Sequence, residues 1–111
     1  MIDKVDVSLE LGDFIQWLAD GDGMRQFWAG PQAVVGCALH AWLTYQGLPR
    51  CRVFCGEILY ESNHYTVHID LPEGHWMRDW VATIVRYERR VMERHQALAE
   101  ARKIMEVRSA T

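Results

Sequence analysis

Three residues carry the most suggestive chemistry in this chain: Cys37, His64 and Asp79, in that order. A thiol attacks as its thiolate, which forms when a neighbouring base takes the proton or when a helix N-terminus lowers the pKa. An imidazole supplies such a base, and a carboxylate can hold that imidazole in the right orientation. Residues this far apart must be brought together by the fold. Each also has a plainer role open to it. Cys37 on an apolar helix can be a small buried hydrophobe, His64 a surface residue at a strand start, and Asp79 the N-cap of the helix that follows.

A second set of side chains has the chemistry of zinc ligands: Cys37 with His40, Cys51 with Cys55, and His64 with His68, with His75 beyond. Residues four apart on a strand are separated by about 13 Å, so neither the Cys51/Cys55 nor the His64/His68 pair can chelate one ion. No CxxC knuckle is present. Neither a metal nor another cofactor is expected.

The elements that must position these residues follow from periodicity. Lys4 to Leu11 alternates, with Val5, Val7, Leu9 and Leu11 on one face, as a half-buried strand does. Gly12 ends it, and Asp13 with Gln16 reads as a capping box for a short helix burying Phe14, Trp17 and Leu18. Asp20-Gly21-Asp22-Gly23 is a turn that lacks the downstream glutamate of a calcium loop. Gly30-Pro31 and Gly47-Leu48-Pro49 bracket a helix that is apolar nearly all round, from Val34 to Leu43, which predicts a buried central helix. A strand from Cys51 to Tyr60, a turn at Glu61-Ser62-Asn63 and a strand from His64 to Leu71 make a hairpin.

From residue 76 the spacing predicts one long helix. Its stripe of Met77, Trp80, Ile84, Tyr87, Val91, Arg94, Leu98, Ala101 and Met105 is a heptad seam interrupted by Arg94 alone. At 1.5 Å per residue roughly 28 residues span about 42 Å, against about 34 Å for a compact body of this size. The excess predicts a homodimer joined through Trp80, Ile84, Tyr87, Val91, Leu98 and Met105. The fold class is therefore α+β: a small antiparallel sheet packed on a central helix, with a long C-terminal helix. Residues 1–111 form one domain, divided into a body (1–75) and the helix (76–111).

Within this order, the helix end Ala41-Trp42-Leu43-Thr44-Tyr45-Gln46-Gly47-Leu48-Pro49-Arg50, the histidine strand, and Gly74-His75-Trp76-Met77-Arg78-Asp79 resemble the papain-like and transglutaminase-like cysteine enzymes over about residues 31–80. The resemblance implies Cys37 as nucleophile, His64 as base and Asp79 as orienter. It further implies Gln32 as donor to the oxyanion that grows in the transition state.

Composition bounds the alternatives. The 111 residues are 50% hydrophobic and 24% charged, enough to bury a core and too apolar for disorder. No apolar run approaches the roughly 18 residues of a membrane span, and Met1-Ile2-Asp3-Lys4 does not read as a signal peptide. Three cysteines in this setting suggest free thiols and a cytoplasmic location. Five tryptophans suggest both core anchors and a contact surface. From Arg78 onward eight basic residues face five acids, about +3, while the remainder carries about −6. Such a helix suits a second copy or an acidic partner. Nucleic acid is unlikely, because acids interrupt the basic residues and no base-reading module accompanies them. Two functions stand level. One is a small cysteine hydrolase or acyl-transferase acting on a peptide or amide bond. The other is a non-enzymatic dimeric interaction module, an inhibitor or adaptor, that binds a protein or peptide partner.

Overall fold

In the computed structural model, which describes residues 7–30 and 35–110, the hydrophobic pattern resolves into four helices and two small antiparallel sheets. The order is α1 (Leu11–Ala19), β1 (Gln26–Trp28), α2 (Ala38–Tyr45), β2 (Arg52–Val53), β3 (Glu57–Ser62), β4 (Tyr65–Asp70), α3 (Trp76–Val85), β5 (Val91–Glu93) and α4 (Arg94–Ser109). The class is α+β, as the sequence implies. No helix among the described residues is long and apolar enough to cross a membrane.

The core is aromatic at its centre. Phe14 of α1 is fully buried, with ring centroids 5.2 Å from Trp42, 5.4 Å from Trp76 and 5.1 Å, edge-on, from Trp80. Edge-to-face and offset pairs of this kind add to the hydrophobic gain of burial. Three of the five tryptophans are thus core anchors, Trp17 is half-buried, and Trp28 alone stands mostly in solvent.

The hairpin pairs β3 with β4 from Glu57↔Asp70 to Ser62↔Tyr65. Its two-residue turn is Asn63-His64, with φ of 46° and 62°, the left-handed pair that a tight hairpin turn requires and that Asn and His tolerate. His64 is therefore a turn residue and does not open the strand. The expected single strand from Cys51 is two short strands, β2 and β3, folded back on each other in register Arg52↔Leu59 and Val53↔Ile58.

Two expectations fail for identifiable reasons. Val7 to Glu10 is not a strand, and Val5 lies outside the described residues. The Gln46 amide satisfies this segment, its oxygen accepting from Ser8 N (2.6 Å) and its nitrogen donating to Ser8 O (3.2 Å), while Trp76 Nε1 donates to Leu9 O (2.7 Å). Side chains thus meet backbone demands that a sheet partner would otherwise meet.

The larger correction concerns residues 76–109, which form two helices instead of one. α3 stops at Val85, the chain turns through 86–90, and β5 pairs with β1 from Gln26↔Glu93 to Trp28↔Val91. A second helix then starts at a capping box in which Glu93 N donates to the Gln96 side chain (2.9 Å) and the Glu93 carboxylate accepts from the Gln96 backbone N–H. α4 folds back along α1 and buries Ala97, Ala101 and Ile104. The dimer seam is consequently not one stripe. Trp80 and Ile84 lie in the chain's own core, Val91 is in a strand, and Tyr87, Leu98 and Met105 are half-buried against the same body. The described residues measure 40 × 32 × 26 Å, and no helix among them outruns that body.

Arg94, the apparent flaw in the seam, explains the fold-back. Its side chain is only 6% exposed. Its Nε donates to Leu18 O (3.0 Å), its Nη2 to Trp17 O, and its guanidinium lies 4.2 Å over the Trp17 ring. The last carbonyls of α1, left without partners by the helix itself, are capped by the first residue of α4. Gly21 makes room, since a Cβ there would sit 1.9 Å from the guanidinium carbon. Arg94→Ala should lower the unfolding free energy by about 3 kcal/mol, from two charge-assisted hydrogen bonds and a ring contact. Arg94→Lys should recover only part of it, because an ammonium lacks the planar fork that aims two N–H groups at two carbonyls while its face lies on a ring. Urea denaturation of the three proteins is the check; coincident midpoints would show that the cap contributes nothing.

Candidate active site

Cys37 stands at the N-cap of α2, its Sγ accepting from His40 N at 3.4 Å. A helix N-terminus favours a thiolate, but here burial opposes it. The thiol is wholly enclosed, and desolvation raises its pKa above the ordinary value despite the helpful backbone N–H groups of His40 and Leu39. The indole N–H of Trp80 faces the same sulfur without reaching it in a formed hydrogen bond, and is the one orphaned buried side-chain donor among the described residues. Burial also raises the pKa of Cys51, whose sulfur meets Thr44 Oγ1 at 3.6 Å. Cys55 is exposed.

The residues expected to work with Cys37 are elsewhere. His64 lies at the hairpin tip, in an open groove of about 500 Å³ lined by Pro49, Arg50, Glu61, Asn63, Tyr65 and Thr66. Asp79 is on α3, where its carboxylate is paired with Arg108 (3.4 Å). The preceding residue, Arg78, docks at the other end of the hairpin by donating to Leu71 O from Nε (3.0 Å) and Nη2 (2.7 Å). The six-residue strand β4 separates His64 from Leu71, seven residue steps or about 24 Å, so the carboxylate cannot orient that imidazole. Nor does Asp79 cap α3; His75 does, accepting from Met77 N through Nδ1 (3.2 Å). Gln32 lies outside the described residues. The imidazole next to Cys37 is that of His40, and its Nδ1 already accepts from Gly36 N (3.1 Å).

His68 pairs with Glu57 on the exposed face of the hairpin (3.1 Å). Among the described residues no three His, Cys, Asp or Glu side chains converge as a metal would need.

What sequence reasoning did not single out is the surface around Trp28. β1 buries Phe27 and turns Trp28 outward, 60% exposed. The indole is seated: Trp28 N donates to Gly36 O (2.9 Å), and a Cβ on Gly36, which has φ +93°, would fall 2.5 Å from the indole Cδ1. Val91 lies directly across the ladder, and Val35 is 52% exposed. Gly30 N bonds Ile84 O (2.9 Å) and Ala29 N bonds Arg90 O (2.8 Å), which bring Val85 and the turn with Arg86, Arg89 and Arg90 to the same edge. A three-residue strand is too short to show its alternation in a sequence, so only the surplus of tryptophans hinted at this surface.

The chain matches no protein-family model, no curated protein and no solved structure.

Two outcomes follow from this geometry. Iodoacetamide near neutral pH should label Cys55 first and leave Cys37 and Cys51 untouched until the protein unfolds; peptide mapping reads this, and early labelling of Cys37 would restore it as a nucleophile. Acid should destabilise the fold. His40 and His75 each accept a backbone N–H on Nδ1 and so must be neutral there. Burial lowers both pKa values below 6.5, for His75 with Arg108 and Arg78 adding and Glu10 opposing, and for His40 with the Cys51 backbone opposing. The unfolded chain binds the proton first, so stability is complete above pH 6.5 and is lost as pH falls through the depressed folded values. His75→Asn, which keeps a capping oxygen, should flatten part of that slope in thermal melts between about pH 8 and pH 5; an unchanged slope would remove His75 from the explanation.

Proposed function

We propose that this protein is a non-enzymatic interaction module that binds a protein partner through the surface around Trp28. The observation that carries the reading is Trp28 itself, a large rigid side chain seated on Gly36 and left 60% exposed while most of its counterparts are buried. Tryptophan and arginine dominate binding energy at protein interfaces, and an aromatic anchor loses little entropy on contact. Here backbone hydrogen bonds from Ala29 to Arg90 and from Gly30 to Ile84 bring the arginine turn to the strand edge that carries Trp28, with Val91 across the ladder and Val35 and Val85 exposed. Catalysis by Cys37 is the weaker reading, because its sulfur is enclosed, its pKa is raised, and neither His64 nor Asp79 is beside it.

Site-specific photocrosslinking tests the proposal. A benzophenone side chain in place of Trp28 should give discrete adducts with another protein in the cells that make this chain. The same group in place of Tyr65, exposed at the far hairpin, should not. Equal adducts from both positions, or none from either, would reject the surface. Adducts consisting of two copies of this chain would make it a self-association face.

A further inference from the structure

We infer that the partner segment seated at Trp28 is acidic, an inference that rests on the proposed use of this surface. The turn between α3 and β5 holds Arg86, Arg89 and Arg90 within five residues, with Glu88 as its sole acid. Among the described residues none of these three arginines makes an ion pair, and only Arg86 has a side-chain hydrogen bond, from Nε to Ala82 O (3.2 Å). Arg52 and Arg102 are likewise without an ion pair or side-chain hydrogen bond among the described residues, but neither has a second unpaired cation near it in the sequence, and the other described cations are engaged. Arg50, Lys103 and Arg108 are each paired with a carboxylate. Arg78 and Arg94 are engaged by backbone carbonyls, and Arg25 lies over the rings of Trp17 and Phe27. In a chain with more acids than bases, three unpaired arginines on one five-residue turn, two of them lining one cleft, make a place suited to carboxylates from outside.

The surroundings extend this charge in two directions. On one side lie Trp28, Val35 and Val85, exposed and apolar. On the other, Arg86 and Arg89 line a cleft of about 420 Å³ with Thr83, Tyr87, Glu88 and Glu100. A segment crossing the turn would set an apolar side chain against the indole and carboxylates against the arginines. An apolar segment alone would strip water from the guanidinium groups without replacing its hydrogen bonds, and a basic one would be repelled. Phosphates could also meet arginine, but nucleic acid fits less well. It carries a charge at every nucleotide past a molecule of net charge −3, with Glu88 inside the basic turn and a single aromatic platform.

The test is a phage-displayed library of random twelve-residue peptides panned on the wild-type protein. Synthetic versions of the enriched peptides are then titrated against wild type, Trp28→Ser and the double variant Arg89→Ser/Arg90→Ser, whose folding is verified by circular dichroism. The expected result is a set of peptides with several Asp or Glu residues around one or two large apolar ones. Their affinity should fall about tenfold in each variant and weaken steeply as salt rises. Apolar or basic peptides that depend on Trp28 would overturn the acidic inference while leaving the surface as a binding face. Peptides indifferent to both variants would overturn both. Oligo-dT that competes better than the acidic peptides would assign the turn to nucleic acid and reject the inference.

Discussion

The guanidinium of Arg94 is the group on which the arrangement of the chain depends. It receives the end of the first helix and begins the last, and it lies over Trp17 between them. A cation at a helix C-terminus is favourable on two counts, its hydrogen bonds to orphan carbonyls and its charge against the negative end of the dipole. Burial lowers its pKa, Arg25 adds to that, and Asp20 and Asp22 oppose it. Because Arg94 is fixed, the residues before it are fixed too. Arg94 N donates to Arg25 O (2.7 Å) and His95 N to Gly23 O (3.0 Å), so the loop after α1 is tied to the start of α4. That tie aligns β5 with β1, and the alignment places the arginine turn beside Trp28.

The aromatic centre determines what the rest of the molecule can do. Phe14, Trp42, Trp76 and Trp80 pack together at that centre, and Cys37, at the N-terminus of α2, is wholly buried with the Trp80 indole facing its sulfur. Position at a helix start and position in a core make opposite demands on a thiol. Here the core decides, because losing water around a sulfur anion outweighs a few backbone dipoles. The same packing orients the other side of the protein. With the bulky apolar residues drawn inward, the exposed Trp28 stands apart from them.

Much of this was legible in the residues. The alternation from His64 to Leu71 gives the second hairpin strand, one residue longer at each end than β4 because His64 belongs to the turn, and Phe14 and Leu18 in α1, with Leu39, Trp42 and Leu43 in α2, are buried as their spacing implies. Two misreadings share one cause. Alternation at Val7 and Leu9 looks like a strand whether a neighbouring strand or the amide of Gln46 satisfies the backbone. Helical spacing through Tyr87 and Val91 persists although the chain there turns and then runs extended, because three residues of β5 are held by pairing across 60 and more positions, which no local pattern records. One local signal did exist. Glu93 with Gln96 is a capping box built on a glutamate, a less favoured cap residue than Ser, Thr, Asp or Asn. The candidate site was less legible still. Residue order can place a cysteine, a histidine and a carboxylate in a familiar sequence, but only tertiary structure shows that a six-residue strand stands between the last two.

The pairing of β1 with β5 has a consequence for how the molecule comes into being. The hairpin of β3 and β4 joins neighbours and can close early. The Gln26↔Glu93 pair spans most of the chain and must wait for a large loop to close, since loop entropy precedes the contacts that reward it. Trp28 and the arginine turn come to one edge only through that long-range closure. The surface they form is therefore absent from a nascent or half-folded chain. A partner that recognises it reads the completion of folding along with the identity of the protein.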